Sequence, residues 1–171
     1  ELRGSQRMHN RPIKTLVDSL REIGASIHYI NKEGYPPLLI KPSELISKKL
    51  IIDSSTSSQY ISSLLLIAPK ISGGLKIQLT GRETSKPYID MTISLLKKIG
   101  VEITKTENKI SVCELQKIES KKHHIESDWS SASYFYSVVA LAKIGFSLKL
   151  SKFYFKSLQG DSKVADIYKS F

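Results

Sequence analysis

The stretch that decides the fold is KPYIDMTISLLKKIGVEITKT, residues 86–106. Its apolar residues recur at the spacing of an amphipathic helix, and Pro87 stands at the first helical position, where a missing N–H group costs nothing. Gly100 follows the last periodic residue and fits the left-handed position that ends many helices. The next residues alternate between apolar and polar side chains, which is typical of a strand. The stretch therefore predicts a helix, a glycine stop and a strand in that order.

The same pattern occurs earlier in the chain, in RPIKTLVDSLREIGASIHYI, residues 11–30, where Gly24 is the counterpart of Gly100. A different pair of stretches also matches, and it consists of STSSQYISSLLLIAPKISGGLKIQL (55–79) and DWSSASYFYSVVALAKIGFSLKL (128–150). In that match, Ser57-Ser58 align with Ser130-Ser131 near the start of each stretch, and LKI (75–77) aligns with LKL (148–150) near its end. Two half-units therefore alternate along the chain, and such self-similarity indicates a repeat architecture.

One complete repeat is a β-α-β-α-β-β unit. Its segments are a strand at 48–53, a helix at 57–68, a strand at 75–79, a helix at 87–99 and a hairpin over 101–114 that turns near Glu107 and Asn108. The predicted fold class is α/β, of the α+β repeat type. The chain begins in the second helix of one unit and stops in the second helix of another, SKVADIYKSF (162–171). We therefore expect a fragment truncated at both ends.

Composition limits the classes of partner. The chain has 171 residues, is 40% hydrophobic and carries a formal net charge of +10, which favours anionic partners. Its apolar runs are far shorter than the roughly 20 residues that cross a bilayer. The lysines are scattered without interleaved aromatic residues, so nucleic acid is not the expected partner. The single cysteine, Cys113, fits a reducing compartment because it has no internal disulfide partner.

Three predicted helices begin with residues that suit an anion: Arg11-Pro12, Ser57-Ser58-Gln59 and Ser85-Lys86-Pro87. Helix N-termini attract anions through free N–H groups and the helix dipole. Capping alone also explains serine at such positions. If several of these starts converge, they would form one anion-binding site.

The motifs GSQRMHNRPI, LVDSLREIGA, SSTSSQYISSLLLIAP, SKPYIDMTI, SDWSSASYF and LQGD together resemble the 5-enolpyruvylshikimate-3-phosphate synthases, also called 3-phosphoshikimate 1-carboxyvinyltransferases. The resemblance covers essentially the whole chain, with the motifs in order. It implies two globular domains built from repeated β-α-β-α-β-β units. It also implies transfer of the enolpyruvyl group of phosphoenolpyruvate to the 5-hydroxyl of shikimate 3-phosphate, with release of phosphate and without metal or organic cofactor.

The resemblance further implies which residues touch the substrates. Shikimate 3-phosphate would contact Ser57, Ser58, Gln59, Ser85 and Tyr88, and phosphoenolpyruvate would contact Arg7 and Gln59. These residue types suit the ligands, because hydroxyl groups bind phosphate, an amide both donates and accepts, and a guanidinium donates two parallel bonds to a carboxylate or phosphate. No catalytic acid or base is identified among the 171 residues.

The resemblance divides the chain into residues 1–125, part of the first globular domain, and residues 126–171, the hinge crossing and the start of the second domain. Ile125 to Asp128 is the expected hinge, and Asp128 is expected to cap the following helix. Gln159-Gly160-Asp161 matches the family without an assigned role. His123-His124 has no further ligand at metal-binding spacing, so no zinc site is predicted.

The expected protein is a cytoplasmic enzyme, monomeric when complete, that acts on small molecules and binds neither nucleic acid nor membrane. Two alternatives stay open. One is the sister enzyme that transfers enolpyruvyl to UDP-N-acetylglucosamine, and the other is a non-catalytic basic module that binds RNA.

Overall fold

A computed structural model describes the chain except for Thr56, residues 82–85, Gln116, residues 118–121 and residues 170–171. The chain divides into two compact units, Glu1–Glu119 and Ser120–Phe171. Among the described residues, no helix has the length and apolar character needed to cross a membrane.

The first unit contains the complete β-α-β-α-β-β repeat that the sequence predicts. Its elements are β3 (Lys49–Asp53), α2 (Ser58–Ile67), β4 (Leu75–Thr80), α3 (Lys86–Lys98), β5 (Ile103–Lys105) and β6 (Lys109–Val112). Each lies within one or two residues of its expected position, and the hairpin turn falls between β5 and β6. The predicted repeat unit is therefore confirmed.

The four strands form one mixed sheet in the order β3-β4-β6-β5. β3 and β4 are parallel neighbours, with Leu50 opposite Ile77, and α2 connects them. β6 is antiparallel to both β4 and β5. Because β3 and β4 run in the same direction, the helices that follow them, α2 and α3, both start at the same edge of the sheet.

Alternation along the strands places one face of the sheet in the core. The buried strand residues are Leu50, Ile52, Leu75, Ile77, Leu79, Ile103, Ile110 and Val112. They pack against the buried faces of the two helices, which contribute Ile61, Leu64, Leu65, Ile89, Ile93 and Leu96. Burying each such side chain stabilises the fold by about 2 kcal/mol, so this face fixes how the helices lie on the sheet.

The half-unit that precedes this repeat has the same helix-glycine-hairpin order. Its elements are α1 (Lys14–Glu22), β1 (Ser26–Tyr29) and β2 (Leu38–Lys41). β1 and β2 are antiparallel, and Leu2 pairs with Leu38 on the other side of β2. Gly24 and Gly100, which end the matching helices, have φ angles of +104° and +99°. Both therefore adopt the left-handed conformation that the sequence predicts.

The second unit contains α4 (Trp129–Leu141), a 3₁₀ turn at Gly160–Lys163 and α5 (Val164–Tyr168). Residues 148–150, which the repeat places over the start of β4, do not form a strand. A strand needs a neighbour to take its backbone hydrogen bonds, and the described part of this unit contains no other strand. The ring of Trp129 packs edge-on against Phe153, with 4.7 Å between the ring centroids.

Candidate functional site

The turn between β3 and α2 uses its polar residues for two separate purposes. Asp53 ends β3, and its Oδ1 accepts a hydrogen bond of 2.9 Å from the backbone N–H of Ser55. Hydrogen bonds from Ser55 lower the pKa of Asp53, so the carboxylate stays ionised in this turn. Ser57 then caps α2, because its Oγ accepts from the backbone N–H of Gln59 at 3.3 Å. One hydroxyl of the polar stretch is thus the helix cap, as expected.

Ser58 and Gln59 form the first turn of α2 and keep their side chains available. Ser58 is only 9% exposed, yet its hydroxyl makes no hydrogen bond to any described residue. Gln59 is exposed, and its side-chain amide likewise has no hydrogen-bond partner among the described residues. The Ser58 hydroxyl oxygen is not among the fully buried unpartnered side-chain atoms of the described residues, so it is accessible to a ligand. The start of α2 therefore presents unused donors and acceptors.

A tyrosine joins the start of α2 to the start of α1. The hydroxyl group of Tyr60 donates a short hydrogen bond to the backbone carbonyl of Pro12, which immediately precedes the first turn of α1. The contact of Tyr60 could not be identified from the sequence, because a tyrosine in the first turn of a helix is more often a packing residue. No local signal identifies its partner, which lies 48 residues away. The contact brings two of the three predicted helix starts together.

A second contact joins α2 to α3. Thr92 donates from Oγ1 to the carbonyl oxygen of Tyr88, 2.9 Å away, and its hydroxyl lies 3.2 Å from the Ser62 hydroxyl. Ser62 and Thr92 lie near the middle of α2 and α3, and both helices start at the same edge of the sheet because they follow the parallel strands β3 and β4. Tyr88, in the first turn of α3, therefore lies at the same edge as the start of α2. The expected site residue Ser85 lies outside the described residues.

Arg7 lies in the segment that leads into α1. It immediately precedes the 3₁₀ turn Met8–Asn10, and its side chain is exposed. Its guanidinium group has no ion-pair or hydrogen-bond partner among the described residues. Arg7 is five residues from Pro12, which the Tyr60 contact holds beside α2. The structure thus keeps an unpaired positive charge on the segment that approaches the helix starts.

The three helix starts suit an anionic, hydroxyl-bearing ligand. The N-terminal ends of the helices carry partial positive charge, and phosphate groups bind there through N–H groups and hydroxyls. Within the described part of the chain, no group of three or more histidine, cysteine, aspartate or glutamate side chains is arranged to hold a metal ion. The side chains at these helix starts offer hydrogen bonds and positive charge, the interactions expected of a phosphate-binding site.

A shallow cavity of about 700 Å³ lies beside α3, at the C-terminal end of β4. Gln78, Leu79, Thr80, Gly81, Lys86, Glu107 and Asn108 line it. Ser57, Ser58, Gln59 and Tyr88 are not among these lining residues. We therefore locate the candidate site from the helix starts rather than from this cavity.

In the second unit, Asp128 caps α4 as expected. Its carboxylate accepts hydrogen bonds from the backbone N–H groups of Ser130 at 3.0 Å and Ser131 at 3.3 Å. The Ser131 hydroxyl also donates to it at 2.6 Å. These bonds, with that of the Ser131 hydroxyl first, lower the pKa of Asp128. The aspartate is therefore committed to the helix start that it caps.

Comparison with known proteins gives a consistent result. The family model of EPSP synthase (3-phosphoshikimate 1-carboxyvinyltransferase) matches residues 1–171. The chain is 40% identical over 165 residues to the 3-phosphoshikimate 1-carboxyvinyltransferase of Bacteroides fragilis, covering 96% of this chain and 40% of that protein. It is also 40% identical over 168 residues to the enzyme of Haemophilus ducreyi, covering 97% of this chain and 38% of that protein. The chain thus spans about two fifths of the length of these relatives.

Solved structures give the same match at the level of the fold. EPSP synthase from Acinetobacter baumannii superposes with a TM-score of 0.64 and 27% sequence identity. The superposition covers 78% of this chain and 29% of that one.

Proposed function

This chain belongs to the EPSP synthase family, and from that premise we propose that it forms part of an enzyme that transfers the enolpyruvyl group of phosphoenolpyruvate to the 5-hydroxyl of shikimate 3-phosphate. In the transfer, a C–O bond forms between the 5-oxygen and C2 of phosphoenolpyruvate while the 5-hydroxyl releases its proton and C3 takes up a proton. The tetrahedral intermediate then loses phosphate by cleavage of the C2–O bond and loses a proton from C3, which restores the double bond between C2 and C3. The enzyme requires no metal or organic cofactor for these steps.

The observation that carries the proposal is the start of α2. Ser57 and Ser58, with the N-terminal turn of the helix, bind the phosphate of shikimate 3-phosphate, and the unpartnered Ser58 hydroxyl supports this role. Gln59 reaches both substrates, because an amide donates and accepts at once. A ligand phosphate would give the Ser58 hydroxyl the partner that it lacks among the described residues.

The remaining assignments concern neighbouring segments. Tyr88 lies against the shikimate ring, and Ser85 adds a hydroxyl at the start of α3. Arg7 binds the phosphate or carboxylate of phosphoenolpyruvate, because its guanidinium is always charged and donates in a fork. The Tyr60 contact with Pro12 supports this grouping, since it ties the Arg7 segment to α2.

We assign residues 1–125 to the first globular domain of the enzyme and residues 126–171 to the crossing and the start of the second. The division of the chain into two compact units supports this assignment. The enzyme works in the cytoplasm as a monomer and does not bind nucleic acid. The single cysteine is in keeping with that compartment.

The test uses the full-length enzyme that carries this chain. Calorimetric titration with shikimate 3-phosphate should show binding, and Gln59→Ala should lower both this affinity and the turnover without lowering the melting temperature. Ser63→Ala, one turn further along α2, is the matched control and should leave turnover unchanged. Wild-type turnover in Gln59→Ala would contradict the assignment of this residue.

The same protein distinguishes the alternatives. Turnover with UDP-N-acetylglucosamine in place of shikimate 3-phosphate would assign the sister reaction. Salt-sensitive binding of RNA, without any response to shikimate 3-phosphate, would identify a basic binding module and overturn the proposal.

A further inference from the structure

Glu126, two residues before the Asp128 cap, has an unusually complete set of hydrogen bonds. Its Oε1 accepts from the indole N–H of Trp129 and the backbone N–H of Tyr154, both at 2.7 Å. Its Oε2 accepts from the Ser157 hydroxyl at 2.7 Å and the side-chain amide of Gln159 at 3.3 Å. Each carboxylate oxygen therefore accepts two hydrogen bonds. Three of the four donors, all except Trp129, come from residues 154–159.

Gln159, the first residue of the QGD motif, completes the attachment. Its side-chain oxygen accepts from the backbone N–H of Trp129, and its side-chain nitrogen donates to the carbonyl of Ser127, both at 2.9 Å. Ser127 also donates from its backbone to Lys152 at 2.9 Å and from its hydroxyl to Ser151 at 3.1 Å. The segment that enters α4 is thus fastened to the loop of residues 151–159 along its length.

The start of α4 differs from the start of α2, although the repeat places them in equivalent positions. The Ser131 hydroxyl donates to Asp128, and the Ser130 hydroxyl donates to Asp161 in a short contact. Ser58, the counterpart of Ser131, has no carboxylate partner in the part of the chain that the structure describes. The positive end of α4 is therefore already occupied by carboxylates of its own unit. An anionic substrate would be repelled there, so this segment serves positioning rather than substrate binding.

The electrostatics of Glu126 agree with a carboxylate that stays ionised. Partial burial acts to raise its pKa, but the hydrogen bonds from Tyr154, Ser157, Trp129 and Gln159 outweigh burial, and the pKa is lowered. Charge-assisted hydrogen bonds of this kind are stronger than neutral ones.

We propose that Glu126 is a positioning residue of the enzyme. With Gln159, it fastens the segment that enters α4 to the loop of residues 151–159, and so fixes the position of groups that this unit contributes to the reaction. The inference rests on the proposed function, because it assumes that residues beyond the first unit take part in the reaction. Small misplacements of reacting groups reduce rates steeply, whereas none of the hydrogen-bond partners named above belongs to α2, where shikimate 3-phosphate is proposed to bind.

Glu126→Gln in the full-length enzyme is the direct test. In one orientation, the new NH2 group faces the N–H groups of Trp129 and Tyr154, which cannot accept a hydrogen bond. In the other orientation, it faces Ser157 and Gln159. The Ser157 hydroxyl can then turn to accept, but the Gln159 side chain cannot, because its oxygen already accepts from the backbone N–H of Trp129. At least one hydrogen bond is lost in either case. Ser157→Ala removes a single donor and gives a milder variant, and Glu102→Gln, an exposed glutamate of the first unit, is the control.

We expect kcat to fall about tenfold in Glu126→Gln and less in Ser157→Ala, with the dissociation constant of shikimate 3-phosphate within about twofold of wild type. The NMR resonance of the Trp129 indole N–H, identified by its loss in Trp129→Phe, should shift in Glu126→Gln and not in Glu102→Gln.

Wild-type kinetics in Glu126→Gln, or in Ser157→Ala if Glu126→Gln does not fold, would overturn the inference. Equal losses of affinity and turnover would also overturn it. Failure of the wild-type enzyme to bind shikimate 3-phosphate would instead refute the proposed function.

Discussion

The hydroxyl group of Tyr60, in the first turn of α2, donates a hydrogen bond to the carbonyl oxygen of Pro12, two residues before α1 begins, and so links two helices that belong to different repeats. The bond is made at the edge of the first unit where the candidate site lies. Gln59, the residue before Tyr60, has no side-chain hydrogen bond to any described residue. Stability and ligand binding should therefore both depend on this tyrosine.

Tyr60→Phe should lower the free energy of unfolding by about 1 kcal/mol, because it removes one hydrogen bond and leaves the Pro12 carbonyl without that donor. It should also weaken the binding of shikimate 3-phosphate, since α1 is no longer tied to α2. Urea denaturation and calorimetric titration measure the two effects. Tyr134→Phe is the control, because Tyr134 is 75% exposed. If both variants behave alike, the bond has no such role.

Two serines of the same turn should respond in opposite ways to substitution by alanine. Ser58→Ala should leave the unliganded protein as stable as wild type, because the lost hydroxyl has no partner among the described residues, but should weaken shikimate 3-phosphate binding at least about tenfold. Ser54 is fully buried and donates to the carbonyl of Thr80 at 2.8 Å, so Ser54→Ala should cost about 1–2 kcal/mol of stability. Thermal unfolding with and without ligand separates the two cases. A stability loss in Ser58→Ala would show that its hydroxyl serves the fold.

The glycines that end the two matching helices should tolerate alanine unequally. Both have left-handed φ angles, so each substitution carries a backbone strain of about 1 kcal/mol. At Gly100 nothing lies within 4 Å of an added Cβ atom, whereas at Gly24 the Cβ would lie 2.6 Å from the carbonyl oxygen of Glu44. We expect Gly24→Ala to lower the free energy of unfolding by roughly 3 kcal/mol in total. Equal losses in the two variants would mean that the chain near Glu44 moves aside freely.

Acidification should loosen the start of α4. The pKa of Asp128 is lowered in the folded protein, so its ionised form is favoured by folding. That stabilisation is fully present above the pKa of the unfolded chain and is lost as the pH falls through the lowered pKa. Protection of the Ser130 and Ser131 amides against hydrogen exchange should therefore begin to fall below about pH 5 and continue to fall as the pH passes the lowered pKa.

Asp128→Asn is the control for this pH dependence, because asparagine also caps helices but does not titrate. It should reduce the slope of amide protection against pH and leave the contribution of Glu126. An unchanged slope would assign the effect to other carboxylates.

The repeat unit and the helix starts could be predicted from the sequence, because period, proline, glycine and serine act through local geometry. The convergence of the helix starts also follows from the parallel connection of β3 and β4. The partner of Tyr60 could not be predicted, since a phenol hydroxyl bonds wherever tertiary packing places an acceptor. The LKL residues at 148–150 resemble a strand in composition, but a strand also needs a neighbour to pair with.

The polar stretch that follows β3 also contains features that the sequence predicts and features that it does not. Composition predicts that one of its serines caps α2, and Ser57 does so. The Ser58 hydroxyl has no partner among the described residues, and that depends on its tertiary neighbours, which composition does not specify. The hydrogen bonds of Glu126 could not be predicted, because three of its four donors, Tyr154, Ser157 and Gln159, lie 28 to 33 residues further along the chain.

The packing of Trp129 on Phe153 has a practical consequence, because Trp129 is the only tryptophan in these 171 residues. Intrinsic fluorescence excited at the red edge of protein absorption therefore originates in the Ser120–Phe171 unit, while the unit that carries Ser58 and Gln59 stays dark. Tryptophan emission of this chain should then report on the second unit alone, whereas far-ultraviolet circular dichroism reports on the helices and strands of both units. A gap between the two unfolding curves would show, without any attached label, that the two units unfold independently.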